Sequence, residues 1–330
     1  MTESKKIKIG IVGGAGYTAG ELIRILLNHP FAQIVSIVST SNAGNPITKI
    51  HDDLLGETEW VFQEKLSGEE EVVFLCLGHG NSAEFLSKTS IKPETKIIDL
   101  SNDFRLKKDQ IQGDRTFVYG LPEMNKSQIK NAQNIANPGC FATSIQLALL
   151  PLAKNNLIND SIHISAITGS TGAGRELIST TGFTWRESNA STYKEFTHQH
   201  LGEIRESLGQ LQPNFNKQVY FIPYRGNFTR GILSSVYTKC EKPLEEIIDL
   251  YKSYYQNEPF TIVSNKAVNI KQVTNTNKCL LYLQKHENQL LISSVIDNLT
   301  KGAAGQAIQN MNLLFGLAEN EGLSLKPVAF

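Results

Sequence analysis

The chain has 330 residues, 40% hydrophobic and 19% charged, a balance that builds buried cores and excludes a disordered polymer. Its 32 basic residues cancel 32 acidic ones with no long run of either sign, so a general nucleic-acid or membrane-surface partner finds no electrostatic footprint. The length suits two domains of roughly 100–200 residues, and no apolar run approaches the roughly 18 residues of a membrane span.

The opening MTESKKIKIG is polar and passes straight into a strand, which does not read as a secretory signal. Lys6 to Val12 is β-rich and ends at Gly13; Glu21 to Leu27 has helical spacing, and Ile34 to Val38 is again β-branched. Together they make a βαβ unit, whose connection requires a parallel pair. Val72 to Leu77 and Lys96 to Leu100 read as further buried strands, with a helix from Asn81 to Lys88 between them. This alternation predicts a Rossmann-like, doubly wound parallel sheet in the first half.

The rhythm changes after Asn137. Cys140 to Leu150 is an apolar helix that Pro138 and Gly139 lead into. Strands follow at Ile162 to Thr168, Gln218 to Ile222, Ile232 to Tyr237, Leu280 to Gln284 and Leu290 to Val295, with one obvious helix at Pro243 to Tyr255. That pattern predicts an α+β domain with a mixed, largely antiparallel sheet. A last helix, about Gly302 to Leu317, has the spacing to pack back on the first domain. No internal repeat and no low-complexity linker is visible.

Gly13, Gly14, Ala15, Gly16, Tyr17 and Thr18 lie between the first strand and the first helix. Glycines there let the backbone approach a pyrophosphate, and the helix N-terminus presents its amides to the charge. The context, rather than the glycines alone, makes this a dinucleotide loop. NAD-specific sites place an acid about 20 residues further on, for the ribose 2′-hydroxyl. Here the second strand ends in Ser39-Thr40-Ser41-Asn42. Hydroxyls and amides, with Ser39 and Ser41 foremost, tolerate a 2′-phosphate that a carboxylate would repel, so the expected cofactor is NADP.

The four cysteines, Cys76, Cys140, Cys240 and Cys279, form no CxxC pair. Reduced thiols and a cytoplasmic protein are the expectation. Cys76 lies in an apolar strand, and Cys240 and Cys279 sit near strand boundaries with nothing to activate them. Cys140 differs, because a helix N-terminus stabilises a thiolate and its amides can also hold an oxyanion. His198 and His200 are candidate proton carriers for it, although spacing alone gives neither a role. Without CxxC or HExxH, no metal site is expected.

Several ordered stretches resemble the semialdehyde dehydrogenase superfamily, and within it the N-acetyl-γ-glutamyl-phosphate reductases. They are GGAGYTAGEL (Gly13 to Leu22), DLSNDFRL (Asp99 to Leu106), YGLPE (Tyr119 to Glu123) and NPGCFAT (Asn137 to Thr143), followed by GSTGAGRE (Gly169 to Glu176), HQHLGEI (His198 to Ile204), TRGI (Thr229 to Ile232) and DNLTKGAAGQAIQNMN (Asp297 to Asn312). The resemblance covers nearly the whole chain. It implies an arginine-biosynthesis enzyme that converts an acyl phosphate to an aldehyde and phosphate, with Cys140 as nucleophile and His198 as general acid/base. It implies Asn298 near the nicotinamide, Arg105 and Arg175 as anion holders, and His200 and Glu203 beside the substrate. It also implies an NADP-binding domain at 1–139 completed by a C-terminal helix within 299–330, a catalytic domain at 140–298, and a homo-oligomer, dimer or tetramer.

The chain departs from the family pattern at Gly78, at Gly202, and over Pro223-Tyr224-Arg225-Gly226-Asn227-Phe228. The last departure touches the acyl pocket, where Arg225 suits the extra carboxylate of an N-succinyl substrate. An aspartate-semialdehyde dehydrogenase, with an unacylated and shorter substrate, is a competing reading within the same class. A catalytically inactive NADP-binding regulator is a competing reading from a different one.

Overall fold

The computed structural model describes residues 5–328. The described residues divide into two compact units, 5–138 with 303–324 and 139–302 with 325–328.

The first unit is built on a seven-stranded sheet. Its elements are β1 (Ile7–Val12), α1 (Tyr17–Leu26), β2 (Ala32–Val38), β3 (Val72–Leu75), α2 (Asn81–Lys88), β4 (Lys96–Asp99), β5 (Ile111–Gln112), β6 (Arg115–Tyr119), α3 (Pro122–Lys130) and β7 (Asn134–Ala136). The order is β2-β1-β3-β4-β7-β6-β5, parallel except for the β5–β6 pair. All four residues of β3 are buried, as an apolar run in a parallel sheet requires. Because β2 and β3 lie on opposite sides of β1, the β1–β3 boundary is the switch point at which such sheets bind ligands.

The second unit begins with α4 (Cys140–Lys154) and continues through β8 (Ile162–Thr168), α5 (Phe183–Arg186), β9 (Ser191–Thr192), α6 (His200–Leu211), β10 (Val219–Arg225) and β11 (Ile232–Lys239). It ends with α7 (Leu244–Tyr255), β12 (Thr261–Val263), β13 (Cys279–His286) and β14 (Gln289–Ile296). Its seven-stranded sheet runs β12-β13-β14-β11-β8-β10-β9, parallel only at β8–β10 and β12–β13. Both predicted sheet types are therefore present. Helices α4, α6 and α7 pack on this sheet, and burial alternates along β8, β10, β11 and β13, so one face is covered. On the other face His163 lies stacked between Tyr220 and Tyr237, with ring centroids 5.1 Å apart in each pair.

Helix α4 contains Pro151, which has no N–H to offer the carbonyl four residues back. That carbonyl belongs to Leu147, and the hydroxyl of Tyr255 donates to it at 2.5 Å. Tyr251, one turn earlier on α7, donates to Ala148 O at 2.5 Å. Tyr255 thus replaces the donor that the proline removes from the helix that carries Cys140, and Tyr251 bonds the next carbonyl.

The end of the chain differs from its sequence expectation. In place of one helix over 302–317, a wide π turn spans Thr300–Ala304 and α8 spans Gly305–Leu314. Asp297 causes the tight start: its Oδ1 accepts the amides of Leu299 and Thr300, and its backbone carbonyl accepts Gly302 N–H. Helix α8 is buried all round, including Gln306, Gln309, Asn310 and Asn312. Three of their amides donate to named partners: Gln309 to Glu319 Oε2, Asn310 to Gly120 O and Asn137 Oδ1, and Asn312 to Glu319 O and Glu321 O.

Candidate active site

The glycine loop joins β1 to α1 in the first unit. Gly13 has φ +81°, a left-handed conformation, and a Cβ there would lie 2.5 Å from Cys76 O, so only glycine fits. The amides of Gly13 and Gly14 both donate to Val38 O, at 3.1 and 2.8 Å, which ties the loop to the end of β2. A cavity of about 990 Å³ opens beside it, lined by Gly13, Ala15, Gly16, Ser39, Thr40 and Ser41 among others. Tyr17 and Thr18 start α1 just beyond the loop, with Tyr17 exposed.

These residues fit a dinucleotide. A side chain at Gly16 would meet no protein atom closer than 3.6 Å, so its face stays open to the cavity it lines. At the β2 end no carboxylate follows the strand, and Asn42 Nδ2 donates to Ser39 Oγ and Ser41 Oγ at 3.1 and 3.0 Å. The hydroxyls of both serines therefore remain available as donors.

Cys76 ends the run that begins with β3 and borders the same cavity. Burial, then the nearby Asp99 charge, pushes its thiol far above the ordinary range. Asp99 is itself pushed up to about 6 by burial, against a hydrogen bond from Ser101 and the Arg105 charge. Arg105 is buried, and its Nε donates to Asn137 O at 2.8 Å and its Nη2 to Leu100 O at 2.9 Å. Those two bonds tie the guanidinium to the turn at Asn137.

In the second unit Cys140 is the first residue of α4 and half-buried, with Gly139 as the N-cap residue. No side chain caps the helix start, but Glu203 Oε2 accepts Gly139 N–H at 2.9 Å. Glu203 is on the first turn of α6, and its other oxygen lies 3.9 Å from His200 Nε2. A Cβ on Gly139 would collide with His200 Nε2 at 2.2 Å, so this glycine is required for the imidazole to pack there. Gly302 is equally constrained, since a Cβ on it would lie 2.7 Å from Cys140 Cβ.

His198 and His200 are both buried, with ring centroids 4.5 Å apart, and both rings contact Phe141 edge-on. His198 Nδ1 accepts His200 N–H at 3.3 Å. In the neutral ring the mobile proton therefore belongs on Nε2. The loop leading to His198 is strained: Lys194 and Phe196 have φ +49° and +56°, a region that non-glycine residues enter at a cost of about 1–3 kcal/mol.

Tyr193 joins this cluster. Its ring centroid is 5.8 Å from that of His198. Burial and the charge of Cys140 raise its phenol, while Arg225 lowers it. The Arg225 guanidinium lies 4.6 Å from the Tyr193 ring centroid. Sequence reasoning misses Tyr193 because a tyrosine in a polar loop carries no local mark; its register opposite β10, through Tyr193 N–H to Pro223 O, is a tertiary fact. Arg225 stands out in the sequence only as a departure from pattern.

Asn298 is buried with both ends of its amide engaged: Oδ1 accepts Gly231 N–H at 2.7 Å and Nδ2 donates to Thr171 Oγ1 at 3.0 Å. Arg175 is exposed, in the loop after Gly174. Arg230, which no local signal marks, pairs with Asp297 at 3.0 Å.

Comparison with known proteins identifies the family. Residues 8–132 match the family description "Semialdehyde dehydrogenase, NAD binding domain", and residues 140–298 match "Semialdehyde dehydrogenase, dimerisation domain". The chain is 57% identical to an N-acetyl-gamma-glutamyl-phosphate reductase of Flavobacterium johnsoniae, over 98% of this chain and 100% of that protein. It is 53% identical to one of Bacteroides fragilis over the same shares. In fold it is similar to aspartate semialdehyde dehydrogenase II of Vibrio cholerae, with TM-score 0.71, 16% identity, 94% of this chain and 99% of that one. The enzyme of Candida albicans, solved with NADP, gives TM-score 0.71 at 15% identity, covering 96% and 99%. The chain belongs to the semialdehyde dehydrogenase family, in the branch of the N-acetyl-gamma-glutamyl-phosphate reductases.

Proposed function

We propose that the chain is an oxidoreductase that reduces N-acetyl-γ-glutamyl phosphate with NADPH to N-acetylglutamate 5-semialdehyde and phosphate, in arginine biosynthesis. The observation that carries this is identity of more than half, end to end, to reductases bearing that name.

Cys140 is the proposed nucleophile. At the first position of α4 its thiolate gains from the helix dipole, and the amides of that turn face the oxygen of a carbonyl under attack. Sulfur bonds to the acyl carbon, the carbon–oxygen bond to phosphate breaks, and phosphate leaves with the electron pair. NADPH, when bound, supplies the hydride that converts this thioester to the thiohemiacetal level. His198 then manages the proton at Nε2 while the carbon–sulfur bond breaks and the thiolate returns. Gly13 to Thr18, Ser39 and Ser41 are proposed to hold the cofactor, with Asn298 on its nicotinamide side. Arg105, Arg175, Glu203 and His200 are proposed for substrate, with Arg105 also tied to the Asn137 turn and Glu203 to the start of α4.

Arg225 favours a second substrate reading. It is half-buried, sits over Tyr193, and its Nε is buried without a hydrogen bond. A cation so placed suits the added carboxylate of an N-succinyl group. Phosphate-dependent oxidation of N-acetyl- and N-succinylglutamate semialdehyde by wild type and Cys140→Ala tests both. Clear preference for the acetyl substrate removes the succinyl reading, and undiminished activity in the mutant ends the covalent mechanism.

We also propose a homodimer that closes the open face of the second sheet around His163, Tyr220 and Tyr237, in a cytoplasmic enzyme. Among the described residues no helix is long and apolar enough to cross a membrane. Tyr237→Arg should shift the protein to monomer in sedimentation; an unchanged dimer would place the interface elsewhere.

A further inference from the structure

We infer that His51 is a positioning residue for the cofactor loop, locking the Gly14–Ala15 peptide in the orientation that dinucleotide binding needs. This rests on the NADPH reading of the loop. His51 precedes a short turn at Asp52–Leu54, far along the chain from the glycine loop, yet it is buried and only 5% exposed. Its Nε2 lies 2.7 Å from Gly14 O. A carbonyl only accepts, so Nε2 carries the hydrogen and donates.

The other side of the ring explains a glycine that helix propensity disfavours. Gly20 is inside α1, where glycine costs about 1 kcal/mol against alanine. A Cβ at Gly20 would lie 2.6 Å from His51 Nδ1 and 2.8 Å from Cε1. The absent side chain is the space that the imidazole occupies. Phe62 packs near the ring as well, with centroids 6.3 Å apart.

The consequence follows from the planarity of the peptide bond. The described residues include no cis peptide. In a trans peptide the C=O and the next N–H point in opposite directions. With the Gly14 carbonyl fixed on His51, the Ala15 N–H is directed away from His51, and Ala15 and Gly16 line the large cavity. His51 thereby holds the dipole of this peptide with its positive end away from the ring, ahead of binding. Without the bond the peptide loses this anchor, and part of the binding energy goes into ordering it.

The test is titration of NADPH, followed by its fluorescence, against wild type, His51→Leu, His51→Gln and Gly20→Ala. His51→Leu removes the donor and should raise the Kd for NADPH about tenfold, the scale of one lost hydrogen bond. In turnover its KM for NADPH should rise likewise, with kcat at saturation nearly unchanged. Gln retains an N–H donor and should recover part of the loss. Gly20→Ala, which displaces the ring without touching it chemically, should reproduce the leucine defect and serves if the leucine variant does not fold. If wild type binds NADPH while both folded variants bind it equally well, the role assigned to His51 is overturned. If wild type itself binds no NADPH, the cofactor reading falls instead.

Discussion

Glu203 accepts the backbone N–H of Gly139 at 2.9 Å, one residue before Cys140. A buried carboxylate is thus bonded to the start of the helix that bears Cys140, from α6, the helix that also begins with His200. Charge-assisted bonds of this kind are short and strong. They fix the thiol relative to the histidines better than a surface contact would. Glu203→Ala should lower kcat by about 10–100-fold, the scale for loosening a positioned reactive group, with little change in KM. Glu203→Gln keeps an acceptor oxygen and should retain more activity. Steady-state kinetics decide it; an alanine variant with wild-type kcat would show that the bond does not position the thiol.

The two cysteines that border the proposed sites should behave differently toward iodoacetamide. Cys76 has its thiol pushed far up by burial and by Asp99, which suppresses the reactive thiolate. Cys140 stands half-buried at a helix N-terminus. Peptide mass spectrometry after brief labelling at pH 7 should find the label on Cys140 and not on Cys76. Preferential labelling of Cys76 would contradict the assignment of the nucleophile.

Asp99 should leave a mark on the pH dependence of stability. Burial raises its pKa from the usual 3.8 to about 6, so the folded state binds its proton more tightly than the unfolded chain does. Its contribution is therefore fully present below pH 3.8 and is lost as pH rises through 6. The size is on the order of 3 kcal/mol. Asp99→Asn cannot ionise, so the melting temperature of the variant minus that of wild type should climb between pH 4 and 6 and then level off. A flat difference across that window would rule out the coupling.

The polar end of β2 should set the choice of cofactor. Ser39 and Thr40 border the cavity where no carboxylate follows the strand. Introducing Ser39→Asp or Thr40→Asp puts a charge where a 2′-phosphate would be repelled. The ratio of kcat/KM for NADPH over NADH should fall in both variants; an unchanged ratio would mean that this loop does not read the phosphate.

Tyr255 should matter to stability far more than a surface tyrosine does. Replacing it by phenylalanine strips the donor from Leu147 O and leaves that buried carbonyl unserved. The cost should be about 1–3 kcal/mol. A chemical denaturation curve that superimposes on wild type would disprove the repair.

Most of the large elements are legible because their signals are local. Strands β1 to β4 announce themselves as β-rich or apolar runs and β8 as a β-branched segment, and α2 runs over Asn81–Lys88 as its spacing predicts, whereas β6, β7 and α3 are not read from the sequence. The unpredicted elements are short or polar. Strands β5, β9 and β12 have two or three residues each, too few for a period, and exist because a neighbouring strand edge accepts them. Helix α6 carries Gly202 and a polar surface, so its apolar stripe is broken in sequence.

The candidate site divides along the same line. Cys140 and the glycine loop can be named from their neighbours in the chain, since a helix start and a strand–helix turn are local geometry. Tyr193, His51 and the bond from Glu203 to Gly139 depend on contacts across 37 to 64 positions or on strand register, which no motif encodes.

The tyrosine mend on α4 has a further consequence for how the protein is made. Leu147 and its hydroxyl partner are 108 positions apart. A ribosome adding roughly 5–20 residues per second exposes the proline-broken helix for several seconds before Tyr255 is synthesised. During that interval the segment bearing Cys140 lacks its full set of backbone bonds. The nascent chain should therefore reach a protease-resistant state only after α7 has left the exit tunnel, however early the cysteine itself emerges.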